Sequence, residues 1–229
     1  MSALKRVGLV GGLGVGAAMH YYRRLADAFA ARGAQPGLVM THADVGRAYT
    51  LVQQGAMQEL ALYLNEHLKT LRAAGCDFAA IAAVTPLACA PQLDAIQALP
   101  RLDVFDSVNA ELKRRRVRRV ALLGTRFVMQ SDMFGRLDDV EIVRPSAEAA
   151  ELVQNNYLII ARTGGIEGAD IEGVRGVAKQ LAEAGAETVI LAGTELSLAF
   201  DEATAGFPAL DSGRVHIDAI VARAFSAEA

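Results

Sequence analysis

Two pairs of similar segments recur along the chain, and this internal repeat constrains its fold more than any other feature of the sequence. The segment VGLVGGLG, residues 7–14, resembles VALLGTRF, residues 120–127. The segment LRAAGCDFAAIAAVTP, residues 71–86, resembles LAEAGAETVILAGTEL, residues 181–196. The members of both pairs are separated by nearly the same distance along the chain, which predicts two halves of similar structure.

Buried strand patterns alternate with helical patterns in each half, which predicts an α/β fold of two pseudo-symmetric lobes. Each lobe is expected to be a parallel sheet flanked by helices, with right-handed crossovers. The first lobe takes residues 1–102, joined by a C-terminal helix over 212–229, and the second takes 103–211. Strands are predicted near 6–11, 37–43, 78–83, 119–124, 140–143 and 187–192. Helices are predicted near 15–32, 55–74, 88–98, 105–115, 146–162, 168–185 and 212–226.

The ends of these strands are where a ligand is expected. In open parallel sheets, ligands bind outside the carboxyl ends of the strands. If the two lobes face each other, their strand-end turns line one active-site cleft. The turns concerned are residues 11–16, 83–87, 124–128 and 193–195.

Composition excludes several classes of partner. The net charge of −3 over 229 residues gives no sign of a nucleic-acid or anionic-membrane partner. No apolar run reaches the roughly 18 residues of a membrane span. The two cysteines, Cys76 and Cys89, form neither a disulfide framework nor a zinc set, which favours the reducing cytoplasm. The histidines show no metal-ligand spacing, so no metal is predicted.

The glycine-rich segment GLVGGLGVG, residues 8–16, leaves three interpretations open. It follows a strand and opens a helix, as a dinucleotide-binding loop does, and Asp44 would be the acidic partner. Its glycines, Gly12, Gly14 and Gly16, lack the usual spacing of that motif. They can instead allow close packing of a turn, or let backbone N–H groups hold a carboxylate or phosphate.

Four segments together resemble the aspartate/glutamate racemase superfamily. They are VGLVGGLGVGAAMHYYRRL, AAVTPLA, VALLGTRFVM and VILAGTELSL, and the tail PALDSGRVHIDAIV resembles the closing segment of that family. The resemblance implies two pseudo-symmetric domains, no cofactor and a homodimer. It also implies an active site in which two cysteines act as acid and base on opposite faces of the substrate α-carbon.

This chain departs from the family where the chemistry lies. The two cysteine positions are Ala83 and Gly193, while Thr194 and Glu195 of the second motif are retained. In the first motif, Val84 and Leu87 replace the polar residues that are usual there. Racemisation needs a base and an acid close to the α-carbon, so racemisation by two cysteines is not expected.

The remaining candidate residues are polar groups and backbone at the predicted strand ends. Candidates for substrate binding are Gly12, Gly14, Arg47, Val84, Thr85, Thr125 and Thr194. His42 and Glu195 are candidates for substitute acid–base groups, because histidine titrates near neutral pH. Cys89, near a predicted helix start, is a candidate for a displaced nucleophile.

Three functions follow from this set of residues. The first is the binding of a small carboxylate by a protein of amino-acid racemase lineage. If this protein is an enzyme, it acts as an isomerase or lyase through His42, Asp44 or Glu195. The second is a non-catalytic binding or regulatory protein. The third is an NAD(P)-dependent oxidoreductase.

Overall fold

The computed structural model describes residues 4–164 and 168–226. The chain divides into two compact units. The first unit takes residues 4–103 and 216–226, and the second takes 104–215. Within these described ranges, no helix is both long enough and apolar enough to cross a membrane.

A three-stranded parallel sheet of order β2–β1–β3 forms the first unit. Its strands are β1 (Val7–Gly11), β2 (Leu38–His42) and β3 (Phe78–Ile81). Its helices are α1 (Val15–Ala30), α2 (Val45–Gln53), α3 (Met57–Ala73) and α4 (Ala90–Asp94), with a 3₁₀ turn over Thr85–Cys89. Every residue of β1 and β3 is buried, which matches their continuous apolar sequences.

The second unit is a four-stranded parallel sheet of order β5–β4–β6–β7. Its strands are β4 (Arg119–Leu123), β5 (Glu141–Val143), β6 (Thr188–Leu191) and β7 (Ala209–Asp211). Its helices are α5 (Val104–Arg115), α6 (Arg126–Gln130), α7 (Ala147–Thr163) and α8 (Ala169–Glu183), with 3₁₀ turns over Met133–Gly135 and Thr194–Leu198. Helix α9 (Ser212–Phe225) follows β7, and its residues from His216 onward belong to the first unit. The predicted α/β class, with parallel sheets flanked by helices, is confirmed.

The internal repeat corresponds to a shared pattern of hydrogen bonds. Strand β1 lies between β2 and β3, as β4 lies between β5 and β6. The carboxylate of Asp77 accepts a 2.5 Å hydrogen bond from the backbone N–H of Arg6. In the second repeat, the carboxylate of Glu187 accepts a 2.7 Å hydrogen bond from the N–H of Arg118, one residue before the counterpart of Arg6. Each acidic side chain thus satisfies a donor at the entry to a central strand.

Two helices, α2 and α6, and strand β7 were not predicted from the sequence. Helix α2 is capped by Asp44, whose side chain accepts a hydrogen bond from the N–H of Arg47 at the helix start. Its buried residues Ala48, Leu51 and Val52 have helical spacing, but the helix has only nine residues. Helix α6 has only five residues. Strand β7 has three residues, which is too few for any periodicity to be recognised.

The helix predicted over 88–98 is much shorter in the structure. A 3₁₀ turn over Thr85–Cys89 comes first, and α4 then takes only five residues. Proline lies in the first turn of both elements, at Pro86 and Pro91. Proline is tolerated there because the first N–H groups of a helix need no partner within it.

A buried histidine lies beside the core of the first unit. This core forms where α1 and α9 pack on the sheet, and its largest members include Tyr21, Leu25, Phe29 and Ile220. His216 is fully buried beside this core. Its Nε2 lies 3.0 Å from the carbonyl oxygen of Leu102, which can only accept, so Nε2 carries the proton. Nδ1 then accepts the hydrogen bond from the Tyr21 hydroxyl, also at 3.0 Å. Burial lowers the pKa of this imidazole to about 4.

The buried imidazole predicts a loss of stability in acid. In the unfolded chain His216 takes up its proton near pH 6.5, whereas in the folded chain it does so only near pH 4. The free energy of unfolding should therefore fall, by up to about 3 kcal/mol from this group, as the pH drops through that window.

Urea unfolding of the wild type and of His216→Gln, measured from pH 7 to pH 4, isolates this contribution as the difference between the two curves. His42→Gln changes an exposed histidine and serves as the control. Parallel curves for the wild type and His216→Gln would show that His216 does not titrate in this way.

Candidate functional site

At the carboxyl end of β1, the chain passes very close to the end of β2. Gly12 has a φ of +83°, and a Cβ built on it would lie 2.3 Å from the carbonyl oxygen of Ala43. Only glycine fits, on both backbone and steric grounds. Gly14 then caps α1 without a side-chain hydrogen bond. The strand–loop–helix context expected for the glycine loop is therefore present.

Three basic side chains of the first unit form what we term the basic cluster. His42 ends β2, Arg47 lies in the first turn of α2, and His67 lies in α3. The Arg47 guanidinium stacks on the ring of Tyr63, 4.3 Å from its centroid, and His67 meets the same ring edge-on at 5.2 Å. Burial lowers the pKa of His67, interactions with His42 and Arg47 lower it further, and the neighbouring Glu66 carboxylate acts in the opposite direction. The structure thus brings together two of the predicted residues, His42 and Arg47, and adds His67 and Tyr63, which sequence reasoning missed.

Asp44 is held by two hydrogen bonds, one at its carboxylate and one at its backbone N–H. Its carboxylate accepts from the N–H of Arg47 at 3.1 Å, and its own N–H donates to the Tyr63 hydroxyl at 2.6 Å. An acidic residue after the second strand is therefore explained by its role as the N-cap of α2. No ribose-binding role is needed to account for it.

The end of β3 carries no group that could transfer a proton. Ala83 and Val84 are 4% and 2% exposed, and Leu87 is 1% exposed, so all three side chains pack in the interior. Thr85 is partly exposed at the start of the 3₁₀ turn. It is the polar side chain among the predicted residues at this strand end.

Cys89 does not have the environment of a displaced nucleophile. The residue is fully buried, and its thiol lies 3.3 Å from the carbonyl oxygen of Pro86. Burial raises the pKa of this thiol to about 12. The helix start was expected to lower that pKa, but α4 is one short turn and desolvation dominates. The thiol therefore stays protonated at neutral pH.

The strand ends of the second unit bring together Thr125 and the 193–195 turn. Thr125 caps α6, with its hydroxyl oxygen accepting from the N–H of Val128 at 3.3 Å. A Cβ on Gly124 would lie 3.1 Å from the carbonyl oxygen of Ala192, so the ends of β4 and β6 approach closely. Thr194 and Glu195 follow β6 and are 2% and 4% exposed.

The space beside Gly193 is filled by Tyr157 of α7. A Cβ built on Gly193 would lie 2.3 Å from Cε2 of Tyr157 and 3.2 Å from its hydroxyl oxygen. The φ of Gly193 is −137°, which any residue can adopt. The absence of a side chain at position 193 is therefore a matter of space: the tyrosine ring lies where a cysteine side chain would begin.

Tyr157, Thr194 and Glu195 form a buried hydrogen-bonded set, which we term the phenol–carboxyl group. The Tyr157 hydroxyl donates to Oε2 of Glu195, and the Thr194 hydroxyl donates to the same oxygen at 3.3 Å. Burial raises the pKa of Glu195, although its hydrogen bonds act in the opposite direction. Burial and the neighbouring carboxylate hold the pKa of Tyr157 well above its usual value. The phenol is consequently a poor base at neutral pH.

Tyr157 was missed because its own sequence context gives no signal. It lies in the middle of a helix whose apolar spacing explains it as a core residue. The only indirect signal was the glycine at position 193, which leaves a space that some other side chain must fill. Among the residues that the structure describes, no group of three or more His, Cys, Asp or Glu could hold a metal ion.

Comparisons with known proteins place these observations in a family. The model of the Asp/Glu/Hydantoin racemase family matches residues 10–220. A candidate Asp/Glu racemase from Yersinia pestis is 25% identical, with a TM-score of 0.85 over 97% of this chain and 100% of that one. An aspartate racemase homologue from Pyrococcus horikoshii OT3 is 24% identical, with a TM-score of 0.80 over 97% and 100% of the two chains. The aspartate racemase of Picrophilus torridus is 19% identical, with a TM-score of 0.80 over 96% and 94%. The last two show the shared fold.

The steric conflict at position 193 predicts the effect of adding a side chain there. Gly193→Ala should lower the free energy of unfolding by about 1–3 kcal/mol, because the Tyr157 ring must shift to admit the methyl group. The control is Gly176→Ala in α8, where a Cβ meets no atom within 4 Å. That change should be neutral or stabilise by up to about 1 kcal/mol. Urea unfolding measures both, and equal stabilities of the two variants would refute the steric account.

Proposed function

The chain belongs to the Asp/Glu/Hydantoin racemase family, and from this premise we propose that it binds a small carboxylate without racemising it by the two-cysteine mechanism. The family resemblance implies that the binding residues are those at the strand ends, where this chain keeps Thr85, Thr125 and Thr194. Arg47 lies where the resemblance implies a substrate-contacting loop. The chain departs from what the two-cysteine mechanism requires at the two proton-transferring positions, which are Ala83 and Gly193.

One observation above all supports carboxylate binding, and it is the basic cluster of the first unit. Arg47 and His67 both contact the ring of Tyr63, at 4.3 and 5.2 Å from its centroid, and His42 and Arg47 both act to lower the pKa of His67. Arg47 is exposed and is held by stacking on Tyr63. Stacking leaves its planar guanidinium edge available for two parallel hydrogen bonds to a carboxylate.

Proton transfer has little support from the candidate groups. Ala83 has no acidic or basic group, and position 193 has no side chain. Cys89 is buried with its pKa near 12. Glu195 already accepts hydrogen bonds from Tyr157 and Thr194. These features favour a binding or regulatory protein over an isomerase or lyase.

The alternatives have narrower support. His42 is exposed at the end of β2, so a reaction that needs a single acid or base is the second candidate function. An NAD(P)-dependent oxidoreductase would need Asp44 for the ribose, and that carboxylate instead caps α2.

Calorimetric titration with succinate tests the proposal. The wild type should bind succinate saturably, and Arg47→Gln should weaken binding by about tenfold or more, because an ionic hydrogen-bond pair is lost. Arg24→Gln removes an exposed arginine from α1 and should leave the affinity unchanged. A wild type that binds none of succinate, malate and fumarate would contradict the proposed function.

The basic cluster also predicts a pH dependence. The pKa of His67 is lowered from 6.5, so this histidine is neutral in the free protein at pH 7.5. A bound anion favours its protonated form, so the affinity for fumarate should rise as the pH falls from 7.5 to 6, by up to about tenfold per pH unit for one proton taken up. His67→Gln should flatten this rise. An affinity that is independent of pH in the wild type would exclude His67 from the binding site.

A further inference from the structure

A cavity of about 600 Å³ lies within the second unit, between the end of α5 and the residues that precede β5. It is therefore at the amino ends of β4 and β5, whereas Thr125 and the 193–195 turn follow the carboxyl ends of β4 and β6. Its volume is in the range of small-molecule sites. The polar residues that line it are Asn109, Lys113, Arg116, Arg118, Asp138 and Asp139.

The positive charges of this cavity are not neutralised by the chain. The segment KRRRVRR, residues 113–119, contains six basic residues. Three of them are paired with carboxylates, Arg114 and Arg115 with Glu111 at 2.7 Å and Arg119 with Glu141 at 3.2 Å. The other three line the cavity, and within the described residues their side chains make no hydrogen bond or ion pair. These three are Lys113, Arg116 and Arg118.

Arg116 has a backbone conformation that favours glycine. Its φ is 58°, in the left-handed region, where a side chain crowds the backbone. Five other helices are followed, within three residues, by a glycine at positive φ. These glycines are Gly33, Gly55, Gly75, Gly164 and Gly185. Asp139, which also lines the cavity, has a φ of 52°. The chain thus places charged residues in two disfavoured conformations at one cavity.

The helix dipole gives an incomplete explanation for these cations. Positive side chains are favoured near the C-terminus of a helix, and the last turn of α5 already has Lys113, Arg114 and Arg115. Arg118 lies beyond the helix, immediately before β4. A bound anion accounts for all three unpaired cations, because it would reduce the repulsion among them.

The walls of the cavity are joined by Asn109 of α5. Its side-chain amide donates a hydrogen bond to the carbonyl oxygen of Arg136 at 2.9 Å, and its Oδ1 accepts one from the N–H of Asp138 at 3.1 Å. The segment before β5 is thereby fixed to the helix that carries Lys113. This connection orders the cavity before a ligand binds, which reduces the entropy lost on binding.

The two carboxylates define the class of anion. Among the described residues, the side chains of Asp138 and Asp139 make no hydrogen bond or ion pair, and both are exposed. They would repel a lone anion, but they can accept hydrogen bonds from hydroxyl groups on the same ligand. A phosphate ester of a sugar has both parts, since its phosphate carries a charge of about −1.5 to −2 and its sugar carries hydroxyls.

A nucleotide fits this lining less well than a simple sugar phosphate. Apart from its polar residues, the described lining consists of aliphatic side chains from α5, from position 117 and from position 140. A nucleobase is usually held by stacking on an aromatic ring or on an arginine, and the three cations are needed for the phosphate.

We infer that this cavity is a second binding site, specific for a small sugar phosphate. Lys113, Arg116 and Arg118 bind the phosphate group, and Asp138 and Asp139 accept hydrogen bonds from the sugar hydroxyls. None of these five residues is among those proposed to bind the carboxylate, so the inference does not depend on the proposed function.

Calorimetric titration at pH 7.5 with a matched set of compounds tests the ligand class. Ribose 5-phosphate or glucose 6-phosphate should bind saturably, and the corresponding free sugar should give no detectable binding. Inorganic phosphate should bind at least about tenfold more weakly than the better sugar phosphate, because it lacks the hydroxyl groups. Failure of both sugar phosphates to bind would overturn the inference, as would equal affinity for inorganic phosphate or tighter binding of AMP.

Arg116→Gly separates a binding role from a structural one. Glycine suits the left-handed conformation, so the free energy of unfolding, measured with urea, should be unchanged or higher. The affinity for the sugar phosphate should nevertheless fall by about tenfold or more, because one phosphate contact is lost. Succinate affinity should equal that of the wild type, so that the failure of this site can be told from failure of the proposed function.

Two further variants and a control locate the ligand. Arg118→Gln should weaken binding to a similar extent, and Asp138→Ala should narrow the preference for sugar phosphate over inorganic phosphate by about fivefold. Arg114→Gln changes an exposed arginine of the same segment that is paired with Glu111 and does not line the cavity, so its affinity should match the wild type. Unchanged affinity in both Arg116→Gly and Arg118→Gln would overturn the assignment of this cavity.

Discussion

The hydrogen bond between the Tyr157 hydroxyl and the Glu195 carboxyl group fixes the chemistry of the second unit's strand ends. A buried carboxyl group is costly unless it is hydrogen-bonded, and Glu195 lies almost entirely inside the protein. Tyr157 provides the bond only by lying against Gly193, so a glycine at that position and a tyrosine in α7 depend on one another. The absence of a side chain at position 193 and the engagement of the adjacent carboxyl group are then two results of one packing arrangement.

The scaffold around this arrangement is conventional for its class. Each unit has a central strand with parallel neighbours on both sides, and an acidic side chain, Asp77 or Glu187, that binds the backbone at the strand entry. The carboxyl ends of such strands are where side chains can vary without disturbing the sheet. The first unit has the basic cluster near these strand ends, and the second unit has the phenol–carboxyl group there. The two repeats therefore share one backbone framework but present different ionisable side chains.

The repeat and the buried strands could be predicted from the sequence because they depend on local patterns. Ala83 and Gly193 could likewise be identified as positions without a proton-transferring group. The roles of Tyr157 and His67 could not be predicted, because each depends on a residue distant in sequence. Tyr157 donates a hydrogen bond to Glu195, and the pKa of His67 is lowered in part by His42. For Cys89, the sequence left both a displaced nucleophile and a buried core residue open, and the structure supports the core residue. The sequence placed it near a helix start but gave no measure of its burial, which raises its pKa to about 12.

The central claim is that this member of the racemase family holds a carboxylate without exchanging protons with it through paired thiols. Proton NMR in deuterated water, with L-aspartate or L-glutamate incubated with the wild-type protein, measures that exchange at the α-carbon. The account predicts that the α-hydrogen signal persists at the level of a protein-free control. Loss of that signal, with deuterium incorporated at the α-carbon, would contradict it.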